Sequence, residues 1–174
     1  KFSKKKMVNG EIRKQSDSPE TIFYYKYDGN WRWGKPHGYG VLWRKKDQEA
    51  YAGWWEGGGP HGDGISYYEN GEIQYDGSYE NGEFHGNGTL WNADGTKWYD
   101  GQWEKGQYSG EGILYYDTGE KWYVGEFEQG SRHGAGKAYY KNGQIKYDTH
   151  WENGTRGNAG TAYYENGEIQ FKGN

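Results

Sequence analysis

Along this chain, short segments in which ring-bearing and polar residues alternate are set apart by turn-forming pairs. In Glu72 to Glu80 the positions Ile73, Tyr75 and Tyr79 interleave with Gln74, Asp76 and Ser78. A period of two sends successive side chains to opposite faces of an extended strand. Glu69-Asn70-Gly71 and Glu80-Asn81-Gly82 bracket that segment, and Ala93-Asp94-Gly95 closes the next, His85 to Trp91. Asn-Gly and Asp-Gly suit type I′ hairpin turns, which need positive φ at both central residues. The pattern therefore predicts strands joined by tight type I′ turns at both ends. Helices are excluded, because a glycine inside a helix costs about 1 kcal/mol relative to alanine and these segments are rich in it.

The segments repeat. A tyrosine returns every 24 residues at Tyr27, Tyr51, Tyr75, Tyr99, Tyr123 and Tyr147, with Phe171 in the same phase. Seven residues later stand Gly34, Gly58, Gly82, Gly106, Gly130 and Gly154. A second ring follows four after the tyrosine (Trp31, Trp55, Tyr79, Trp103, Phe127, Trp151) and a third sixteen after it (Trp43, Tyr67, Trp91, Tyr115, Tyr139, Tyr163). Self-similarity of this kind sets the architecture, since each unit buries its face against its neighbours. Two strands and two turns per period make one hairpin per repeat. Tyr75, Gly77 and Tyr79 share a face, and the bare glycine leaves room for an aromatic ring from a neighbouring strand to lie over the backbone. The predicted fold is all-β: a single elongated, twisted antiparallel meander of stacked β-hairpins with a ladder of rings packed over glycine.

Residues 1–26 read as a degenerate N-terminal hairpin, turning at Asn9-Gly10, followed by a strand that leads into the array. Residues 27–170 hold six repeats, and 171–174 start a truncated seventh repeat or form an edge strand. Thr149 replaces a strand glycine and Gly157-Asn158 replaces His-Gly in the last full repeat, as a terminal cap would. Asp47 stands at the second turn of the first repeat, where the others carry glycine. Gly57-Gly58-Gly59 reads as a loosened turn.

Tyr75-Asp76-Gly77-Ser78-Tyr79-Glu80-Asn81-Gly82-Glu83-Phe84-His85-Gly86-Asn87-Gly88 resembles the MORN repeat (membrane occupation and recognition nexus), as do the stretches starting at Tyr27, Tyr51, Tyr99 and Tyr123. The Tyr-Tyr-x-Asn-Gly runs at 67–71, 139–143 and 163–167 resemble the bacterial variant of the repeat, which occurs in antitoxin-like proteins. The resemblance implies a one-layer sheet of stacked hairpins that serves as a scaffold, with lipid binding attributed to some members.

Composition narrows the chemistry. The chain has no cysteine, which excludes disulfides and thiolate chemistry, and a net charge of −4 over a ring-rich body, which disfavours nucleic acid as a partner. His37, His61, His85 and His133 repeat in phase, but equivalent residues in adjacent hairpins lie roughly 9.5 Å apart. One zinc needs its ligands within about 2.1 Å, so no metal site and no cofactor are expected. Glu56, Glu80, Glu104, Glu128 and Glu152 form an acidic rim. Sequence signatures of a nucleophile elbow, a zinc protease or a phosphate loop do not occur, and the expectation is a non-enzymatic protein. No apolar run is long enough for a membrane-spanning helix, which suits a soluble protein, cytoplasmic or peripheral at a membrane. The chain starts at Lys1 rather than Met, so a removed leader stays open.

The leading functional expectation is a scaffold that binds a protein partner, or a second copy of itself as a homo-oligomer, through the rings Trp55, Tyr79, Trp103, Phe127 and Trp151. Three alternatives stand beside it: carbohydrate or cell-wall glycan binding through exposed Trp and Tyr, peripheral contact of Lys4, Lys5 and Lys6 with anionic lipid, and an antitoxin or immunity role.

Overall fold

Alternation produces strands wherever it was expected. The computed structural model describes residues 6–8, 11–15, 22–44 and 47–173, with side chains from Tyr25 onward. It is an all-β antiparallel meander in which strand order follows chain order, with no helix among the described residues.

The chain divides into two compact units, Lys1–Glu83 and Phe84–Asn174. The first holds β1 (Lys6–Val8), β2 (Glu11–Gln15), β3 (Ile22–Arg32), β4 (Lys35–Arg44), β5 (Gln48–Glu56), β6 (Gly59–Tyr67) and β7 (Ile73–Glu80), each paired antiparallel with the next. The expected N-terminal hairpin is β1–β2, in register Met7↔Ile12; its turn residues, Asn9 and Gly10, lie outside the described residues. The second unit holds β8 (Glu83–Trp91, save its first residue), β9 (Lys97–Glu104), β10 (Gln107–Tyr115), β11 (Lys121–Glu128), β12 (Ser131–Tyr139), β13 (Ile145–Glu152), β14 (Thr155–Tyr163) and β15 (Ile169–Gly173), paired in the same way.

The two turns of each repeat differ, contrary to the expectation of type I′ at both. The first is a two-residue turn with positive φ at both central residues, as at Asn81 (52°) and Gly82 (86°) or Lys105 (49°) and Gly106 (74°). Gly57 (60°) and Gly58 (94°) form the same tight turn, so the triple glycine is not loosened. The second connection is a three-residue loop. At Tyr68 to Glu72 the Tyr68 N–H donates to Glu72 O (2.8 Å), the Gly71 N–H donates to Tyr68 O (3.1 Å), and only Gly71 has positive φ. The Asn70 side chain accepts from the Glu72 N–H, so Asn-Gly here builds an Asx-stabilised loop ending in a left-handed glycine. Asp47 takes that left-handed place in the first repeat, with φ 57°.

Trp33 carries the positive-φ position of its turn at 51°, although a bulky side chain is strained there, and it is 87% exposed. The Arg32 guanidinium lies 4.3 Å from its ring centroid. Trp33→Asn is expected to raise stability by about 0.5–1 kcal/mol, because relief of the backbone strain outweighs the exposed cation–π attraction that the substitution removes. Urea unfolding midpoints of the two proteins measure this. An unchanged or lowered midpoint contradicts it.

The core is the ring ladder. Tyr99 and Tyr123 in the second unit and Tyr75 in the first are fully buried, with Tyr27 and Tyr51 close behind. Tyr27 covers Gly29 and Gly40, Tyr51 covers Gly53 and Gly64, Tyr99 covers Gly101 and Gly112, and Tyr123 covers Gly125 and Gly136: in each case the glycine two residues ahead in its own strand and that glycine's cross-strand partner. The ring comes from the glycine's own strand rather than from a neighbouring one. A Cβ at either glycine would overlap it. The phenol then donates to the carbonyl three residues on, at 2.9 Å from Tyr99 to Gln102 and from Tyr51 to Trp54. That carbonyl sits where the strand register shifts, so the hydroxyl supplies a bond that the bulged ladder lacks.

Rings pack edge to face along each unit. Tyr99 meets Trp103 of its own strand at 5.1 Å and 85°, and Phe127 of the next repeat at 5.3 Å and 89°. Tyr51 meets Trp55 and Tyr79 in the same way. This arrangement places the positive edge of one ring on the negative face of another. The indole N–H groups of Trp55, Trp103 and Trp151 donate to Gly40, Gly88 and Gly136 carbonyls, 15 residues back in each case. Successive turns are tied too: Gly82 N–H donates to Pro60 O, Gly106 to Phe84 O and Gly154 to Arg132 O. Tyr116 and Tyr140 hydroxyls likewise reach the Tyr139 and Tyr163 carbonyls.

The ladder weakens in the last repeat, where Thr149 takes the glycine's place opposite Gly160 and Tyr147 is only half-buried.

Candidate interaction surface

The five rings expected to meet a partner are not available to one. Trp55, Tyr79, Trp103, Phe127 and Trp151 are only 3–6% exposed, closed in by the neighbouring tyrosines and by each other's strands. A side chain that the chain itself encloses offers a partner no area, so their part is structural. Lys4 and Lys5 lie outside the described residues, and Lys6 enters only as backbone of β1.

The histidine and glutamate ladders meet each other. His61 Nε2 lies 3.3 Å from Glu56 Oε2, and His133 Nε2 lies 3.4 Å from Glu128 Oε2, each pair across one tight turn. Among the described residues no group of three or more potential ligands is placed to hold a metal ion. Where Ser109 replaces histidine, a small cavity lined by Glu104, Gln107, Tyr108 and Ser109 opens instead.

The face opposite the ladder is where the repeats differ. Tyr39 on β4 and Trp54 on β5 face each other in register, with ring centroids 6.2 Å apart at 83°. Both are more than half exposed, at 55% and 54%. The same cross-strand place holds Asp63 and Ser78 in the following hairpin, and Asn87 with Gln102, Glu111 with Glu126 and Ala135 with His150 in the second unit. Only the first of these pairs is aromatic. The sequence carried a signal for it: positions three and twelve after the repeat tyrosine are polar or small elsewhere, and a tryptophan there has no structural partner to find.

Around this pair the first unit is acidic. Asp63 continues the row on β6, and the Ser78 hydroxyl donates to its Oδ1 at 2.8 Å. A cavity of about 450 Å³ opens beside Trp54, lined by His37, Gly38, Trp55, Glu56, His61, Gly62 and Asp63. Gly62 borders it in the left-handed conformation (φ 72°) that favours glycine, and so adds no side chain to it. On the same face Tyr67 is half-buried; burial, and secondarily the Glu49 carboxylate, raise its pKa.

Tandem hairpins with one buried ring ladder, seated on glycine and tied turn to turn, define a repeat protein. The MORN repeat model matches residues 27–48, 75–97 and 99–121, and the model of the MORN repeat variant matches 60–81 and 132–153. Together these cover more than half of the sequence, and the chain belongs to the MORN-repeat family. The variant matches contain two of the three Tyr-Tyr-x-Asn-Gly runs, those at 67–71 and 139–143. No curated protein matches the chain in sequence. Among the described residues no helix is long and apolar enough to cross a membrane.

Proposed function

We propose that this chain is a non-enzymatic scaffold whose first unit binds a protein partner on the face opposite the ring ladder. One observation carries the reading: Tyr39 and Trp54 form an exposed aromatic pair at a place where the other repeats put polar or small residues. Exposed tryptophan and tyrosine are the residues most enriched among binding hot spots, because they supply large contact area at small entropic cost. The fold supports the scaffold role. A ladder that satisfies its own rings and carbonyls leaves the opposite face free to vary from repeat to repeat.

A photo-crosslinking amino acid at position 39, introduced in the source cells, tests this. The expected product is an adduct of discrete protein mass that disappears when Trp54 is changed to Ser and does not form from position 111, which occupies the same phase in the second unit. An adduct at twice the chain's own mass would identify a second copy as the partner. Equal labelling from positions 39 and 111, or adducts of lipid or glycan alone, would overturn the proposal.

A further inference from the structure

We propose that the cavity beside Trp54 receives an arginine side chain from a basic segment of the partner. This inference rests on the protein-binding reading above and adds the chemistry of what is bound.

Three features of the cavity converge on a planar cation. First, Trp54, which is 54% exposed, lines the cavity, and Tyr39 stands perpendicular to it just outside the lining as a second ring. Aromatic faces attract guanidinium groups through the ring quadrupole, and arginine adds stacking that lysine lacks. Second, two carboxylates, Glu56 and Asp63, line the cavity together with the imidazoles of His37 and His61. Asp63 is oriented by the Ser78 hydroxyl through Oδ1, and Glu56 is held at the rim by His61 Nε2. Ionised carboxylates only accept hydrogen bonds and a guanidinium only donates them, so these two carboxylates are complementary to an arginine head group.

Third, among the described residues Asp63 has no lysine or arginine partner, whereas several aspartates of the second unit do. In the second unit Asp100 is paired with Lys97 at 3.1 Å, Asp148 with Lys137 at 3.1 Å and Asp117 with Lys141 at 2.9 Å. In the first unit Asp63 bonds to a serine hydroxyl, and among the described residues no lysine or arginine forms an ion pair with it or with Asp76, the next aspartate along this face. The volume, about 450 Å³, lies within the roughly 300–1,000 Å³ typical of small-ligand sites and admits one long side chain. Gly38 and Gly62 line it with no side chain of their own.

The test titrates the intact chain, by calorimetry and tryptophan fluorescence, with a short glycine-spaced peptide carrying two arginines. The same peptide with citrulline, the same with glutamate, and a neutral oligosaccharide serve as comparison ligands. The arginine peptide is expected to bind and to weaken with added salt. Its affinity is expected to fall at least about tenfold with citrulline, and to a similar extent in Trp54→Ala and in Asp63→Asn. Trp54 and Asp63 are surface residues, and circular dichroism of both variants checks that they fold. Trp33→Ala, which removes an exposed tryptophan outside the cavity, is expected to leave binding unchanged. Equal affinity for the arginine and citrulline peptides, binding indifferent to Trp54→Ala, or saturation by the oligosaccharide with a flat peptide titration would each overturn the inference. Competition separates the two proposals. A protein adduct at position 39 that excess arginine peptide fails to displace would sustain the scaffold and remove the arginine, whereas specific peptide binding without any adduct would do the reverse.

Discussion

Replacing Tyr99 by alanine is expected to cost about 3–5 kcal/mol, the range for removing a large buried aromatic side chain. Against the 5–15 kcal/mol that holds a typical domain together, this brings the second unit close to unfolding. The size of the effect follows from what lies beneath the ring. Tyr99 is fully buried, covers Gly101 and Gly112, and is enclosed by Trp103, Tyr108 and Phe127. Those two glycines have no side chain to swing into the vacated space, so the cavity cannot collapse from below. Tyr99→Phe keeps the ring and loses only the bond from the hydroxyl to Gln102 O, for about 1 kcal/mol. Tyr147→Ala should cost less than half as much as Tyr99→Ala. There the ring is half-buried, Thr149 already supplies a Cβ where the glycine would be, and Arg156 lies over the ring at 4.5 Å. Urea unfolding followed by tryptophan fluorescence and by circular dichroism ranks the three variants. Equal losses for Tyr99→Ala and Tyr147→Ala would show that the glycine seat is not what makes the ladder rigid.

That contrast also marks how far the residues alone could be read. The 24-residue period, the tight first turns and the seating of rings over glycine were legible, because each depends on local spacing and on glycine's missing side chain, but the ring proved to come from the glycine's own strand. The second turn was not. Asn-Gly serves either a type I′ pair or a three-residue loop, and the choice depends on the register shift between Ser66 and Tyr67, which pair with Tyr75 and Ile73 and make it a property of two strands together. The five rings assigned to a partner failed for a related reason. A one-layer sheet has no second layer to cover its rings, but edge-to-face packing between consecutive repeats encloses them. What the period repeats turned out to be structure. The candidate site lies where the period is broken, at Tyr39 and Trp54, positions that phasing on the conspicuous rings passed over.

Raising the pH above 10 is expected to destabilise the fold steeply. Burial lifts the phenol pKa values of Tyr51, Tyr79 and Tyr99 well above the ordinary 10, with neighbouring phenols adding to it for Tyr51 and Tyr99. Burial also pushes Tyr123 up to about 12, and the Arg132 guanidinium, 5.6 Å from its ring, tempers that rise. A raised pKa means that the native state keeps a proton which the unfolded chain releases near pH 10. Below pH 10 both states are protonated and the full stability is present. Above it the unfolded chain binds fewer protons, so stability falls as pH rises until the native phenols themselves ionise. Each ladder tyrosine then contributes a slope of at most about 1.4 kcal/mol per pH unit, reduced wherever its hydroxyl retains solvent contact. Four such groups acting together would carry the protein through unfolding between pH 10 and 12. Absorbance at about 295 nm, which reports phenolate, and near-ultraviolet circular dichroism, which reports ring packing, should therefore change together for the ladder tyrosines. If every tyrosine ionised near pH 10 with the ring signal intact, the ladder would be open to water and could not be the core.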